Sequence, residues 1–127
     1  MRALVIDDSR AMRSILKGIL TSLDFEVIEA ADGRQAIEIL TEDKTFDIAL
    51  VDWNLPVMNG LEIVTEIRKD SSHSGMRLLM VTTETEIERV TQALQAGADE
   101  YIMKPFDRNM LLNKLVILGI PVEAAQD

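Results

Sequence analysis

Five short, largely apolar runs, each stopping at a polar residue and each separated from the next by a stretch of helical periodicity, constrain this chain more than any other feature. They are Ala3-Leu4-Val5-Ile6, Phe25-Glu26-Val27-Ile28, Ile48-Ala49-Leu50-Val51, Met76 to Val81, and Tyr101-Ile102-Met103. An unbroken apolar run of this length suits a strand covered on both faces, the usual condition in a parallel sheet. Between the runs, apolar residues recur at helical spacing: Ala11, Met12, Ile15, Leu16, Ile19, Leu20 and Leu23; then Ala36, Ile37 and Leu40; then Ile63, Val64 and Ile67; then Ile87, Val90 and Leu94. Start signals precede them. Ser9 is placed to cap, Asp32 with Gln35, Asn59 with Glu62 and Thr85 with Glu88 read as capping boxes, and Phe106 and Leu111 flank an Asp107 cap. Gly97, and Gly119 with Pro121, are placed as stop signals. A last helix carries Leu111, Leu112, Leu115, Val116 and Leu118. Strand and helix in alternation predict an α/β fold, a doubly wound five-stranded parallel sheet with helices on both faces.

The chain has 127 residues, 47% of them hydrophobic, which suffices for one core. Five strand–helix units fill it without repeats or low-complexity segments, so the expectation is one domain over 1–127 and no output domain. There is no cysteine, which removes disulfides and thiolate metal sites. The start lacks a signal-peptide pattern, and no apolar run is long enough to span a bilayer, so a soluble, cytoplasmic protein without a membrane segment is expected. Thirteen basic against 22 acidic residues give a formal charge of −9. That argues against nucleic-acid binding, which depends on neutralising phosphates, and fits a cation or a basic protein partner.

In a parallel sheet all C-terminal strand ends share one edge, the ligand-binding edge of open α/β folds. The first run delivers Asp7 and Asp8 there, the third Asp52, the fourth Thr82 and the fifth Lys104. Three carboxylates crowded together repel one another unless a hard divalent cation lies between them, and Mg²⁺ suits few carboxylates, several waters and phosphate oxygens. Lys104 adds a point charge for an anion and Thr82 a hydroxyl donor. The pattern is that of a phosphoryl site beside a metal. The nucleophile is then a carboxylate or a hydroxyl; Asp52 is the choice on topology, the Asp7-Asp8 pair being free to hold the metal.

These residues carry a resemblance. Val5-Ile6-Asp7-Asp8-Ser9, Val51-Asp52-Trp53-Asn54-Leu55-Pro56-Val57-Met58-Asn59-Gly60, Val81-Thr82 and Tyr101-Ile102-Met103-Lys104-Pro105-Phe106, in this order and spacing, resemble the receiver domains of two-component response regulators, in kind the single-domain chemotaxis regulators. The resemblance covers nearly the whole chain. It implies the flavodoxin-like strand order 2-1-3-4-5. It makes Asp52 the phosphoacceptor, Asp8 a direct Mg²⁺ ligand, Asp7 a ligand through water, and the Asn54 carbonyl the remaining protein ligand. Lys104 would contact the phosphoryl group, with Pro105 cis after it. Thr82 would move to the phosphoryl oxygen and Tyr101 swing inward behind it. The implied partners are a histidine kinase or histidine phosphotransfer protein, and a downstream protein on the face of the fourth helix, fifth strand and fifth helix, with the chain a monomer or a phosphorylation-dependent dimer. The implied activity is self-catalysed phosphoryl transfer and loss, not turnover of an outside substrate, in a stand-alone regulator of a chemotaxis-type system or a phosphorelay. Thr83 is larger than the small residue common at its position; Asn54 and Glu84 match the chemotaxis regulators where the family tunes phosphoryl loss.

Taken singly, each residue has an ordinary explanation: Asp7 and Asp8 as helix caps, Lys104 as a solvated strand end, Thr82 as strand filler, Tyr101 as packing. His73, in a Ser-rich connection, is expected in solvent, and Trp53 at the rim of the site. A flavin binder would need a hydroxyl- and glycine-rich loop where Asp7-Asp8-Ser9-Arg10 stand, and neither phosphate-loop glycine pattern occurs. An aspartyl-phosphate hydrolase acting on outside esters usually needs an acidic residue where Asn54 stands. A scaffold that signals without phosphate would not need an intact acidic site.

Overall fold

The computed structural model describes residues 1–83 and 88–122. Its elements alternate as predicted: β1 (Arg2–Ile6), α1 (Arg10–Ser22), β2 (Glu26–Ala30), α2 (Gly33–Glu42), β3 (Ile48–Asp52), α3 (Gly60–Lys69), a 3-10 turn (Ser71–His73), β4 (Arg77–Thr82), α4 (Val90–Ala96), β5 (Glu100–Met103) and α5 (Arg108–Ile117). The strands form a parallel sheet in the order β2-β1-β3-β4-β5. Among the described residues no helix is long and apolar enough to cross a membrane.

Alternation along the strands sorts the core into two layers. Leu4, Ile6, Ala49, Val51, Leu78 and Met80 face the layer formed with Ala36 and Leu40 of α2, Ile63, Val64 and Ile67 of α3, and Ala93 of α4. Ala3, Val5, Ile48, Leu50, Leu79 and Val81 face the layer formed with Leu16 and Leu20 of α1 and Leu111 and Leu115 of α5. The three central strands are therefore apolar at consecutive positions because consecutive side chains enter different cores. Each fully buried leucine or isoleucine contributes about 2 kcal/mol of transfer free energy, so these strands are a rigid base for whatever their ends carry.

The caps fall largely where the sequence placed them. Ser9 Oγ accepts the Met12 N–H, and Asp107 Oδ1 accepts the Met110 N–H. Asn59 and Glu62 complete a reciprocal box. At α2 the box is displaced: Asp32 accepts from the Gln35 N–H, but Gln35 Oε1 accepts the Ala31 N–H rather than that of Asp32. The Thr85–Glu88 box, Ile87 and Glu84 fall wholly or partly outside the described residues; Arg89, preceding α4, makes no side-chain cap. Gly97 closes α4 at φ 124°, where a Cβ would also meet Arg68 Cγ at 2.5 Å. Strand β2 lies one to two residues later than the apolar run, because pairing from Arg2↔Glu26 to Ile6↔Ala30 sets its ends; Phe25 instead packs into the α1/α5 layer.

Not every periodic apolar residue is buried. Ile15, Leu94, Val116 and Ile117 are exposed, Ile117 at 65%. In α5 the core takes Leu111, Leu112, Leu115 and Leu118, so Val116 falls on the outer face.

Candidate functional site

The strand ends meet at one edge. Asp7 follows β1, its N–H donating to Ala30 O of β2 at 3.1 Å, and its Oδ1 accepts the Ser9 N–H at 2.8 Å. Its other oxygen, Oδ2, is buried without a hydrogen-bond partner. Asp8, next in the chain, is exposed at the mouth. Asp52, 5% exposed, ends β3. One carboxylate oxygen from each of Asp7, Asp8 and Asp52 lies within 4.8 Å of the others. Lys104 Nζ enters from the far side, 3.4 Å from Asp52 Oδ1 and 3.7 Å from Asp7 Oδ2.

The loop after β3 is pinned to its neighbours. The Trp53 N–H donates to Val81 O at 2.9 Å and the Gly60 N–H to Trp53 O at 3.0 Å. Gly60 is required there: a Cβ would stand 2.7 Å from Met80 Cε and 3.0 Å from Trp53 Cα. The Asn54 N–H donates to Asp52 Oδ1 at 3.4 Å. On the other side the Lys104 N–H donates to Thr82 O at 2.7 Å, and the Lys104–Pro105 bond is cis, as the resemblance implied.

The electrostatics follow from burial. Desolvation pushes the Asp52 carboxyl up from 3.8 to about 6, and repulsion from Asp7 adds to it; Lys104 and the Asn54 N–H pull it partly back. One ammonium beside three carboxylates leaves a net negative pocket. Asp7 Oδ2 is buried without a hydrogen bond, and its charge is met only by Lys104 at 3.7 Å. All-oxygen donors at this spacing, some buried and some open to water, fit a small hard divalent cation.

Thr82 is fully buried, its hydroxyl donating to Thr83 O at 3.3 Å. Tyr101 is partly buried and pairs with Met80, while Thr82 pairs with Met103. Side chains of paired residues and of every second residue share a face, so Thr82 and Tyr101 stand on the same face of adjacent strands, two positions apart. The Tyr101 ring lies under Lys114 Nζ of α5 at 4.7 Å.

One expectation is corrected and one refined. His73 is not in solvent: it is 3% exposed, and its Nε2 lies 2.8 Å from Leu40 O, tying the end of α2 to the turn before β4. That turn precedes β4, so it lies at the edge opposite the acidic site. Trp53 packs beside the site as expected, but deeper than its rim: it is 4% exposed and belongs to the core layer shared with α2 and α3. Sequence reading also missed Arg13, whose Nη1 donates to Asp7 O at 2.6 Å and whose Nε pairs with Glu29 of β2 at 3.3 Å. The available signal was its place in the first turn of α1, where side chains lean back toward the helix start and so toward the end of β1.

Comparison with known proteins agrees with this geometry. Residues 3–116 match the model of the response regulator receiver domain. The chain is 43% identical over 116 residues to a chemotaxis protein CheY homolog of Campylobacter jejuni, covering 91% of this chain and 89% of that one. It is likewise 43% identical over 121 residues to the chemotaxis protein CheY1 of Helicobacter pylori, covering 94% and 98%. Among solved structures, the chemotaxis response regulator CheY4 of Vibrio cholerae superposes with a TM-score of 0.86 at 35% identity, covering 92% of this chain and 97% of that one. With the strand order, the acidic triad and the lysine already in place, these matches establish that the chain belongs to the response regulator receiver domains.

Proposed function

We propose that this receiver domain accepts a phosphoryl group on Asp52 from a phosphohistidine of a histidine kinase or histidine phosphotransfer protein, in a chemotaxis-type pathway of the cytoplasm. The observation that carries the reading is the convergence of Asp7, Asp8 and Asp52, with an Asp7 oxygen buried without a hydrogen bond and Lys104 within 4 Å of both Asp7 and Asp52. Asp8 and Asp52 directly, Asp7 through water and the Asn54 carbonyl would hold Mg²⁺. When bound, Mg²⁺ supplies charge neutralisation for the carboxylates and the phosphoryl oxygens.

The chain's own residues do the rest. An Asp52 carboxylate oxygen forms a bond to phosphorus as the phosphorus–nitrogen bond of the donor imidazole breaks. The electron pair leaves with the imidazole nitrogen, and the product is an acyl phosphate. Lys104 draws the charge of the transferred oxygens to its ammonium. Loss of the group requires water to attack the same phosphorus, regenerating the carboxylate and releasing phosphate. Asn54, exposed at the mouth, borders that approach.

Signalling follows from Thr82 and Tyr101. A Thr82 hydroxyl drawn to the phosphoryl oxygen leaves Thr83 O and makes room on the face that Tyr101 shares. The ring's inward turn releases its contact with Lys114 and alters the α4–β5–α5 surface, where Leu94 and Val116 stand exposed. A coupling of about 1–3 kcal/mol is enough to shift a partner's or a second copy's affinity. The sharing of chemotaxis names by relatives at 43% identity supports the pathway class. Incubation with acetyl phosphate and Mg²⁺ tests the assignment: one phosphoryl group should appear at Asp52 and none in Asp52→Asn. Labelling of the variant at the unaltered level would refute it.

A further inference from the structure

We infer that Arg13 is a positioning residue for the cation site, acting through Asp7. This rests on the proposed Mg²⁺ site and deepens it. Asp7 carries four polar groups. Its N–H is taken by Ala30 O, its Oδ1 by the Ser9 N–H and its carbonyl by Arg13 Nη1 at 2.6 Å. These three anchors fix the residue at both backbone ends and at one side-chain oxygen, leaving Oδ2 without a hydrogen bond, with Lys104 3.7 Å away.

Of the three anchors, two come from the backbone and are present whatever the side chains. Arg13 is the side-chain anchor, and it is itself held. Its side chain is 15% exposed, and Nε pairs at 3.3 Å with Glu29 Oε1, whose other oxygen lies 3.8 Å from Lys17 Nζ. Glu29 sits on β2 directly across from Val5 of β1. The guanidinium thus bridges the outer strand to the turn between β1 and α1, the turn that aims Asp7 and Asp8. Its planar fork suits this double task, donating through one nitrogen to a carbonyl and through another to a carboxylate. Partners that orient metal ligands typically matter tenfold or more in metal affinity when removed.

Calorimetric titration with MgCl₂ at neutral pH tests the inference, with melting temperature in chelator measured alongside. Because Asp7 acts through water and Arg13 holds its carbonyl, Arg13→Met should bind Mg²⁺ several-fold more weakly than the unaltered protein, less than the tenfold typical for partners of direct ligands. Glu29→Gln, which keeps the guanidinium but removes the charge that aims it, should lose a few-fold. Arg13→Lys should recover part of the affinity, since one ammonium cannot span both partners. Arg68→Met controls for plain destabilisation: it removes donors to Gly97 O, His73 O and Asp99 away from the site, and should lower the melting temperature without changing Mg²⁺ affinity. Unaltered affinity in Arg13→Met, or in Glu29→Gln should Arg13→Met fail to fold, would overturn the role of Arg13. Failure of the unaltered protein to bind Mg²⁺ would overturn the site reading itself, and the inference with it.

Discussion

Asp52→Asn should stabilise the metal-free protein at neutral pH. Asp52 is almost wholly buried, next to Asp7, and its carboxyl is pushed from 3.8 to about 6, by burial first and by Asp7 second. A folded-state value raised above the unfolded one has a definite sign. The contribution is fully present below pH 3.8 and is lost as pH rises through about 6, so the ionised carboxylate opposes folding at pH 7.5. The shift corresponds to about 3 kcal/mol at most, and solvent at the open mouth screens it to ~2 kcal/mol. For a chain of this size that is a rise of roughly 8 °C in melting temperature. Thermal unfolding of both proteins in chelator, from pH 4 to 7.5, should show a gap that is small at pH 4 and widens until about pH 6.5. Asp43 and Asp70, whose carboxyls are held low, Asp43 chiefly by Thr45 and Asp70 chiefly by Lys44, lose stability on acidification in both proteins alike. The difference between the two curves therefore isolates Asp52. Saturating Mg²⁺ should narrow or reverse the gap, adding about 2.7 kcal/mol to the unaltered protein at a hundred times its dissociation constant and less to the variant, which lacks one of the proposed ligands. Equal melting temperatures in chelator at pH 7.5, or a gap of the same size at pH 4, would refute the reasoning.

Thr82→Ala should be labelled by acetyl phosphate as the unaltered protein is, while losing most of the phosphorylation-dependent gain in partner affinity or self-association; equal gains would remove Thr82 from the switch. Gly60→Ala should cost about 1–3 kcal/mol in urea unfolding, because Met80 Cε can move aside but the Trp53 and Asp52 backbone, 3.0 and 3.3 Å from the new Cβ, cannot do so cheaply. A midpoint unchanged by that substitution would show that the loop after β3 is less tightly held than its hydrogen bonds indicate. Val57, 91% exposed at φ 69°, is a β-branched residue in left-handed backbone. Val57→Asn should therefore stabilise by about 1 kcal/mol, and a loss on denaturation would count against that conformation.

The candidate site was legible in the sequence because its geometry is a consequence of topology. Once β1, β3, β4 and β5 run parallel, the first polar residue after each must arrive at one edge, so Asp7, Asp8, Asp52, Thr82 and Lys104 were identifiable from runs and stops alone. A metal held by Asp7 and Asp8, a nucleophile at Asp52, an anion contact at Lys104 and a hydroxyl donor at Thr82 followed from residue type and topology; the finer roles, such as the Asn54 carbonyl and the movement of Thr82 and Tyr101, came from resemblance to the family that the chain matches. Cap positions were equally local: Ser9, Asn59 and Asp107 act within three residues of themselves, a range that sequence spacing covers.

What the tertiary structure decided was set by contacts between residues far apart in the chain. His73 carries no local mark of burial; the Leu40 carbonyl, 33 positions away, gives its ring a partner inside. The outward face of α5 could not be read from an apolar run that circles the helix, until the β5 side claimed Leu111, Leu112 and Leu115 and left Val116 and Ile117 in solvent. The same holds for Arg13. Sequence determined that a helix begins at Ser9 and that Asp7 precedes it. That a guanidinium six residues on returns to the Asp7 carbonyl, steadied by a glutamate on the neighbouring strand, is fixed by the pairing of β1 with β2, since only that pairing brings Glu29 beside the start of α1.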